Sequence, residues 1–173
     1  MSGRDEGGSG AVCDRLVSAM KETFGDDARR IAHALKVLEY AREICAGEGG
    51  SRLVVEAAAV LHDIGIQEAE RKHGSSAGRY QEIEGPPIAR RLMEEAGLAE
   101  ETIEHVCRIV GSHHSASDID TREFRIVWDA DWLVNIPEEF PHHSRDDLRK
   151  LIGRVFRTRT GREMASAMFL GGT

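Results

Sequence analysis

An all-α fold, a single bundle of about seven or eight helices, is predicted by three features of the sequence. Apolar residues recur at three- and four-residue intervals from Val12 to Phe156. Sustained two-residue alternation bounded by hairpin dipeptides is absent. Clusters of Gly and Pro separate the periodic segments, as connections between helices require.

Residues 1–10 are Gly, Ser and charge and read as a flexible tail, with one domain over residues 11–173. Leu16, Met20 and Phe24 make the first apolar stripe, and Ile31, Leu35, Leu38 and Ala41 the second. After the break at residues 47–50 come Val54, Ala58, Leu61 and Ile64. Residues 74–78 and Gly85-Pro86-Pro87 read as further breaks, before the stripe of Ile88, Leu92 and Ala96. Ile103, Val106 and Val110 follow Gly97, and Phe124, Val127, Trp128 and Val134 follow Gly111. Ser144 with Asp147 reads as the capped start of a helix carrying Leu148, Leu151, Ile152 and Phe156. No internal repeat or domain boundary is visible.

Composition narrows the function. At 173 residues the chain has the length of one domain with a sizeable core. Lys and Arg number 23 against 30 acidic residues, a net charge of −7, which argues against a duplex nucleic-acid binder. The apolar runs, such as residues 57–61, are too short to span a bilayer, and residues 1–10 hold no apolar signal region. Cys13, Cys45 and Cys107 are odd in number and widely spaced, so a reducing cytoplasm is expected rather than a disulfide framework or thiolate zinc site. A homo-oligomer is compatible with all of this.

The informative residues are polar ones where the periodicity wants apolar ones. Asp131 shares a helical face with Phe124, Val127, Trp128 and Val134, where a lone carboxylate is costly unless paired, hydrogen-bonded or metal-bound. Asp129 points about 200° away around the same helix and reads as a surface residue paired with Arg125. His33 lies in an apolar stretch and, taken singly, reads as a core histidine. His62-Asp63 ends an alanine-rich, apolar helix ahead of Gly65, and two successive polar groups there have little structural reason. His113-His114 ends another helix, where a solvated terminus and a functional pair are equally good readings. His142-His143 reads as surface, and His73 and His105 carry no clear signal.

His33, His62-Asp63 and Asp131 together resemble the H…HD…D signature of the HD-domain metal-dependent phosphohydrolase superfamily. The flanking residues agree: Val37 after His33, Ala58 and Leu61 before His62, Ile64-Gly65 after Asp63, and the triplet Asp129-Ala130-Asp131 with Leu133. The likeness runs from about residue 26 to residue 136. It implies an all-helical fold holding one divalent cation on His33, His62, Asp63 and Asp131. Members with two ions usually carry a further histidine four residues before a glycine after the HD motif, and here Gln81 stands at that place before Gly85. This departure counts against a standard binuclear centre, with Glu82 or Glu84 as conceivable oxygen substitutes. The other additional histidine matches His113 better than His114.

Mixed imidazole and carboxylate ligands suit Mn, Fe, Co, Ni or Zn, with Mg less favoured. The resemblance thus implies hydrolysis of a small phosphate ester, a nucleotide among the candidates, by a metal-activated water. Asp63 would orient that water, and His113 would donate a proton or contact phosphate. The segment 71–80 reads as a loop of cations, hydroxyls and glycines, either solvated or recognising phosphate through Lys72 and Arg79, with His114 a further candidate contact. No P-loop motif is present, and Arg154, Arg157, Arg159 and Arg162 read as a solvated face. The alternatives are a catalytically silent metal- or nucleotide-binding module and a diiron oxygenase of the same fold.

Overall fold

The computed structural model describes residues 6–171, with residues 6 and 7 as backbone only. Nine α-helices and no strand occur among the described residues: α1 Glu6–Phe24, α2 Ala28–Glu48, α3 Arg52–Leu61, α4 Ile66–His73, α5 Gly78–Glu95, α6 Glu100–Val110, α7 Arg122–Glu139, α8 Arg145–Val155 and α9 Arg159–Leu170. Helix α1 starts at Glu6, so residues 6–10 are helical where composition suggests a tail; residues 1–5 lie outside the described residues.

The bundle is built around α3. Residues 54–61 are all buried, so this helix touches protein on every side, packing on α1, α2, α6 and α7. Helix α1 lays Cys13, Leu16, Met20 and Phe24 against it, and α2 lays down Val37, Leu38, Ala41 and Ile44. The one buried charge in α3, Glu56, is 1% exposed and accepts hydrogen bonds from Nε of Arg42 (2.7 Å) and of Arg52 (2.9 Å). Side-chain caps start α2, α3 and α7: Asp27 accepts from Arg30 N, Ser51 from Val54 N and Thr121 from Phe124 N. Ser144 caps α8 by accepting from Asp147 N, as expected.

Two further sequence expectations need correction. Gly85-Pro86-Pro87 does not end a helix but lies inside α5. The prolines remove two donors, yet the helix is fixed at its midpoint from both sides. A Cβ on Gly65 would fall 2.4 Å from Gly85 N, and one on Gly85 would fall 2.8 Å from Val110 Cγ1. Two backbones therefore touch where α5 crosses the turn after α3, a contact only glycine permits. The second correction concerns segment 71–80. Residues 71–73 close α4 and residues 78–80 open α5, which leaves 74–77 as the connection, with Gly74 left-handed at φ +65°.

Candidate metal centre

Four side chains from three parts of the bundle converge at one end of α3. His33 comes from the middle of α2, His62 and Asp63 from the turn that stops α3, and Asp131 from α7. His33 Nε2 lies 3.2 Å from His62 Nε2, 3.1 Å from Asp131 Oδ1 and 3.5 Å from Asp63 Oδ2. His62 Nε2 lies 3.4 Å from Asp63 Oδ2 and 3.5 Å from Asp131 Oδ1.

The tautomer of His62 decides what this cluster is for. Its Nδ1 is 2.7 Å from the carbonyl oxygen of Ala59, which can only accept, so the ring proton sits on Nδ1. Neutral His62 therefore presents a bare Nε2 lone pair to two carboxylates and a second imidazole. Lone pairs so close repel unless a positive charge lies among them. Ligands about 2.1 Å from one ion are about 3.0 Å apart at right angles and about 3.4 Å apart at tetrahedral angles. The separations from His33 Nε2 and His62 Nε2 match that range, so the donor set fits a divalent cation, with His33, His62 and Asp63 placing ligand atoms within 4.8 Å of one another.

Electrostatics agree. Burial works against a charged His62, yet Asp63 and Asp131 beside it push its pKa well above the ordinary histidine value. Burial would raise Asp63, but His62 and His113 hold it well below the usual carboxylate range. Asp131 is likewise lowered, against burial, by His33 and His62. The site draws in positive charge.

His113 repeats the device. Its Nδ1 donates to Val110 O at 2.7 Å, which turns Nε2 toward Asp63 Oδ1 at 3.2 Å. Asp63 thus offers Oδ2 to the His33–His62 side and Oδ1 to His113. Ligand atoms of Asp63, His113 and His114 form a second group within 4.8 Å of one another, beside that of His33, His62 and Asp63. His114 is exposed, its ring packed on His113 at 4.0 Å and against Gly78, where a Cβ would fall 2.7 Å from Cγ.

Gln81 is buried beside this turn, its Nε2 donating to Ser76 O while Oε1 has no partner among the described residues. Both suggested substitutes are engaged elsewhere, Glu82 through one oxygen and Glu84 through both. Glu82 accepts from the backbone N–H groups of His114 and Ser115, and Glu84 is held by Lys72 Nζ (2.7 Å) and His73 Nε2 (2.9 Å). Lys72 also pairs with Glu68, and Arg79 stacks on Tyr80 and donates to its hydroxyl. Lys72 and Arg79 therefore engage protein groups, and neither is among the residues that line the cavity over His33 and Asp63.

Sequence reasoning missed the walls of the site. A cavity of ≈490 Å³ opens over His33 and Asp63, bounded by Arg29, Arg30, Ser76 and Asn135 among others, a size that suits a small molecule. Arg29 is mostly solvent-exposed and held by Glu138 at 3.3 Å, whereas Arg30 is clamped between Asp27 and Glu70. A second cavity of ≈120 Å³ adjoins it across Asn135 and Glu139 and is lined by His113, His114, Trp128 and Trp132.

Asp129, in contrast, lies on the opposite face of α7, as its angular offset requires, but it is not a surface residue. It is fully buried and accepts from Arg157 N, Thr158 N and Thr158 Oγ1, pinning the turn between α8 and α9. Arg125 pairs instead with Asp120. Arg157 is not simply solvated either, since its guanidinium covers the Trp128 ring at 4.6 Å.

An all-helical bundle with a convergent His–Asp cluster able to hold a cation thus defines the class of protein. Residues 30–136 match the HD domain family model, and the chain belongs to that family. A predicted HD superfamily hydrolase from an uncultured Thermotogales bacterium is similar at a TM-score of 0.69 and 24% identity, over 91% of this chain and 85% of that one. An HD-superfamily hydrolase from Bacillus thuringiensis is similar at a TM-score of 0.65 and 20% identity, over 94% and 93%. A search of curated proteins gives no significant match. No helix among the described residues is long and apolar enough to cross a membrane.

Proposed function

We propose that this HD-domain protein is a metal-dependent phosphohydrolase that cleaves a small phosphate ester in the cytoplasm. The observation that carries this reading is the convergence of His33, His62, Asp63 and Asp131, with His62 Nε2 turned toward the other three by its Nδ1–H bond to Ala59. His33, His62, Asp63 and Asp131 would hold the cation. When bound, it supplies a lowered pKa for water and polarisation of the phosphoryl group.

The chain's own residues do the rest. Asp63 accepts a hydrogen bond from the attacking water through whichever oxygen stays free, and so orients it. His113, with Nδ1 tied to Val110, carries its mobile proton at Nε2 and gives it to the leaving oxygen. Arg29 and Arg30 face the same cavity as His33 and Asp63 and meet the phosphate oxygens. A second ion is the variant that Asp63, His113 and His114 favour.

The test is elemental analysis of the purified protein, then phosphate release from a panel of phosphate esters with added Mn, Co, Ni or Mg. Turnover by wild type and none by Asp63→Ala supports the reading. A metal-loaded wild type that hydrolyses nothing in the panel points to a binding module.

A further inference from the structure

We infer that the cavity on the α7 side is a ring subsite, in which a nucleobase stacks on Trp132 and is read at its edge by Asn135 and Glu139. This deepens the phosphohydrolase reading and rests on it for the placement of the phosphate. The outward stripe of α7 runs Trp128, Trp132, Asn135, Glu139 at helical spacing, while Phe124, Val127, Ala130, Leu133 and Ile136 fill the core. Neither indole is in that buried set; both line the ≈120 Å³ cavity with Asp131 and His114.

The two rings differ in how far they are committed. Trp128 donates Nε1 to Val155 O, and Arg157 lies over its ring. Trp132 is backed by Phe140, near-parallel at 18° with centroids 6.2 Å apart, and its indole is not tied down by a hydrogen bond among the described residues. A supported aromatic ring beside a cavity is a stacking platform for another flat ring.

Asn135 and Glu139 lie one turn apart and line both cavities, and their side chains make no hydrogen bond with any described residue. An amide and a carboxylate side by side offer a donor next to an acceptor, the complement of a base edge such as those of adenine and guanine. An alkyl group placed there would leave both polar groups facing apolar surface. Charge then sets the direction of binding: phosphate turns to the Arg29–Arg30 wall and away from Glu139, which leaves the ring at Trp132.

Titration of adenosine, guanosine and ribose into the full chain, followed by NMR, tests the subsite without any phosphoryl chemistry. Either nucleoside should bind wild type at least about tenfold more tightly than ribose, the scale of one base–aromatic stack. Trp132→Ala and Asn135→Ala should lose that preference, and Trp132→Phe should keep it. With Mn present, the preference in kcat/KM for a nucleoside 5′-monophosphate over ribose 5-phosphate should fall about tenfold in Trp132→Ala. Wild type binding nucleosides no better than ribose, or Trp132→Ala binding them equally well, overturns the inference. Nucleoside binding in a metal-loaded protein that cleaves no phosphate ester would sink the phosphohydrolase reading and leave the ring subsite standing.

Discussion

Asp129 and Asp131 sit two residues apart on α7 and are both sequestered, yet their surroundings are opposite. Around Asp129 every near polar group donates: the amides of Arg157 and Thr158 and the Thr158 hydroxyl. Around Asp131 the near groups are imidazole nitrogens and another carboxylate, all able to accept. A carboxylate among donors is satisfied and serves as a tie between helices. One among acceptors is unfinished without a cation. Burial alone cannot tell the two apart; the direction of the hydrogen bonds can.

The largest effect should come from Asp131→Ala, which should abolish both retained metal and phosphate release, while Asp129→Ala keeps bound metal. Elemental analysis of both purified variants reads this directly, and equal loss of metal would erase the distinction. Asp129→Ala should instead lower stability. It strands buried donors at about 1–3 kcal/mol for each left unsatisfied, so a total of about 2–4 kcal/mol and a fall in Tm of roughly 5–15 °C are expected. Calorimetry without metal checks it.

Next in size is the cation itself. If it binds only the folded chain, saturation at about 100 times Kd adds about 2.7 kcal/mol, or roughly 5–10 °C in Tm. Thermal melts with and without a chelator should show that difference in wild type and Asp129→Ala and none in Asp131→Ala.

The smallest effect concerns Glu84 and the two side chains that hold it. Lys72 and His73 hold Glu84 below the usual carboxylate range, so its folded pKa is depressed. Its stabilisation is present above the unfolded value of about 4.3 and is lost as pH falls through the lower folded value. Glu84→Gln should therefore flatten the acid limb of a Tm-against-pH curve below about pH 4.3 and leave metal content unchanged.

What could be read from the sequence follows how local each partner is. Asp131 was separable from Asp129 because both lie on one regular helix, where angular position follows from residue number alone. The partners of Asp129 lie 28 and 29 residues further on, so no local rule reveals them and Arg125 looked like the natural mate. Helix α4 was hidden because its eight residues bury only Ala69, too little for a stripe. Gly85-Pro86-Pro87 misleads because its tolerance inside α5 depends on the approach of Gly65 and Val110 from elsewhere in the chain. Arg29, Arg30 and Asn135 were within reach. They stand three or four residues from His33 and Asp131, on faces already assigned to the site.

The two tryptophans carry a practical consequence. They are the whole indole content of the chain, and both stand in the wall of the cavity beside Asp131. Intrinsic emission excited at the red edge of protein absorption therefore comes from this one place and from nowhere else in the molecule. A quenching anion or a paramagnetic ion entering the cleft dims the entire signal, with no background from distant indoles. The protein carries its own optical probe, installed by sequence at the site where occupancy matters.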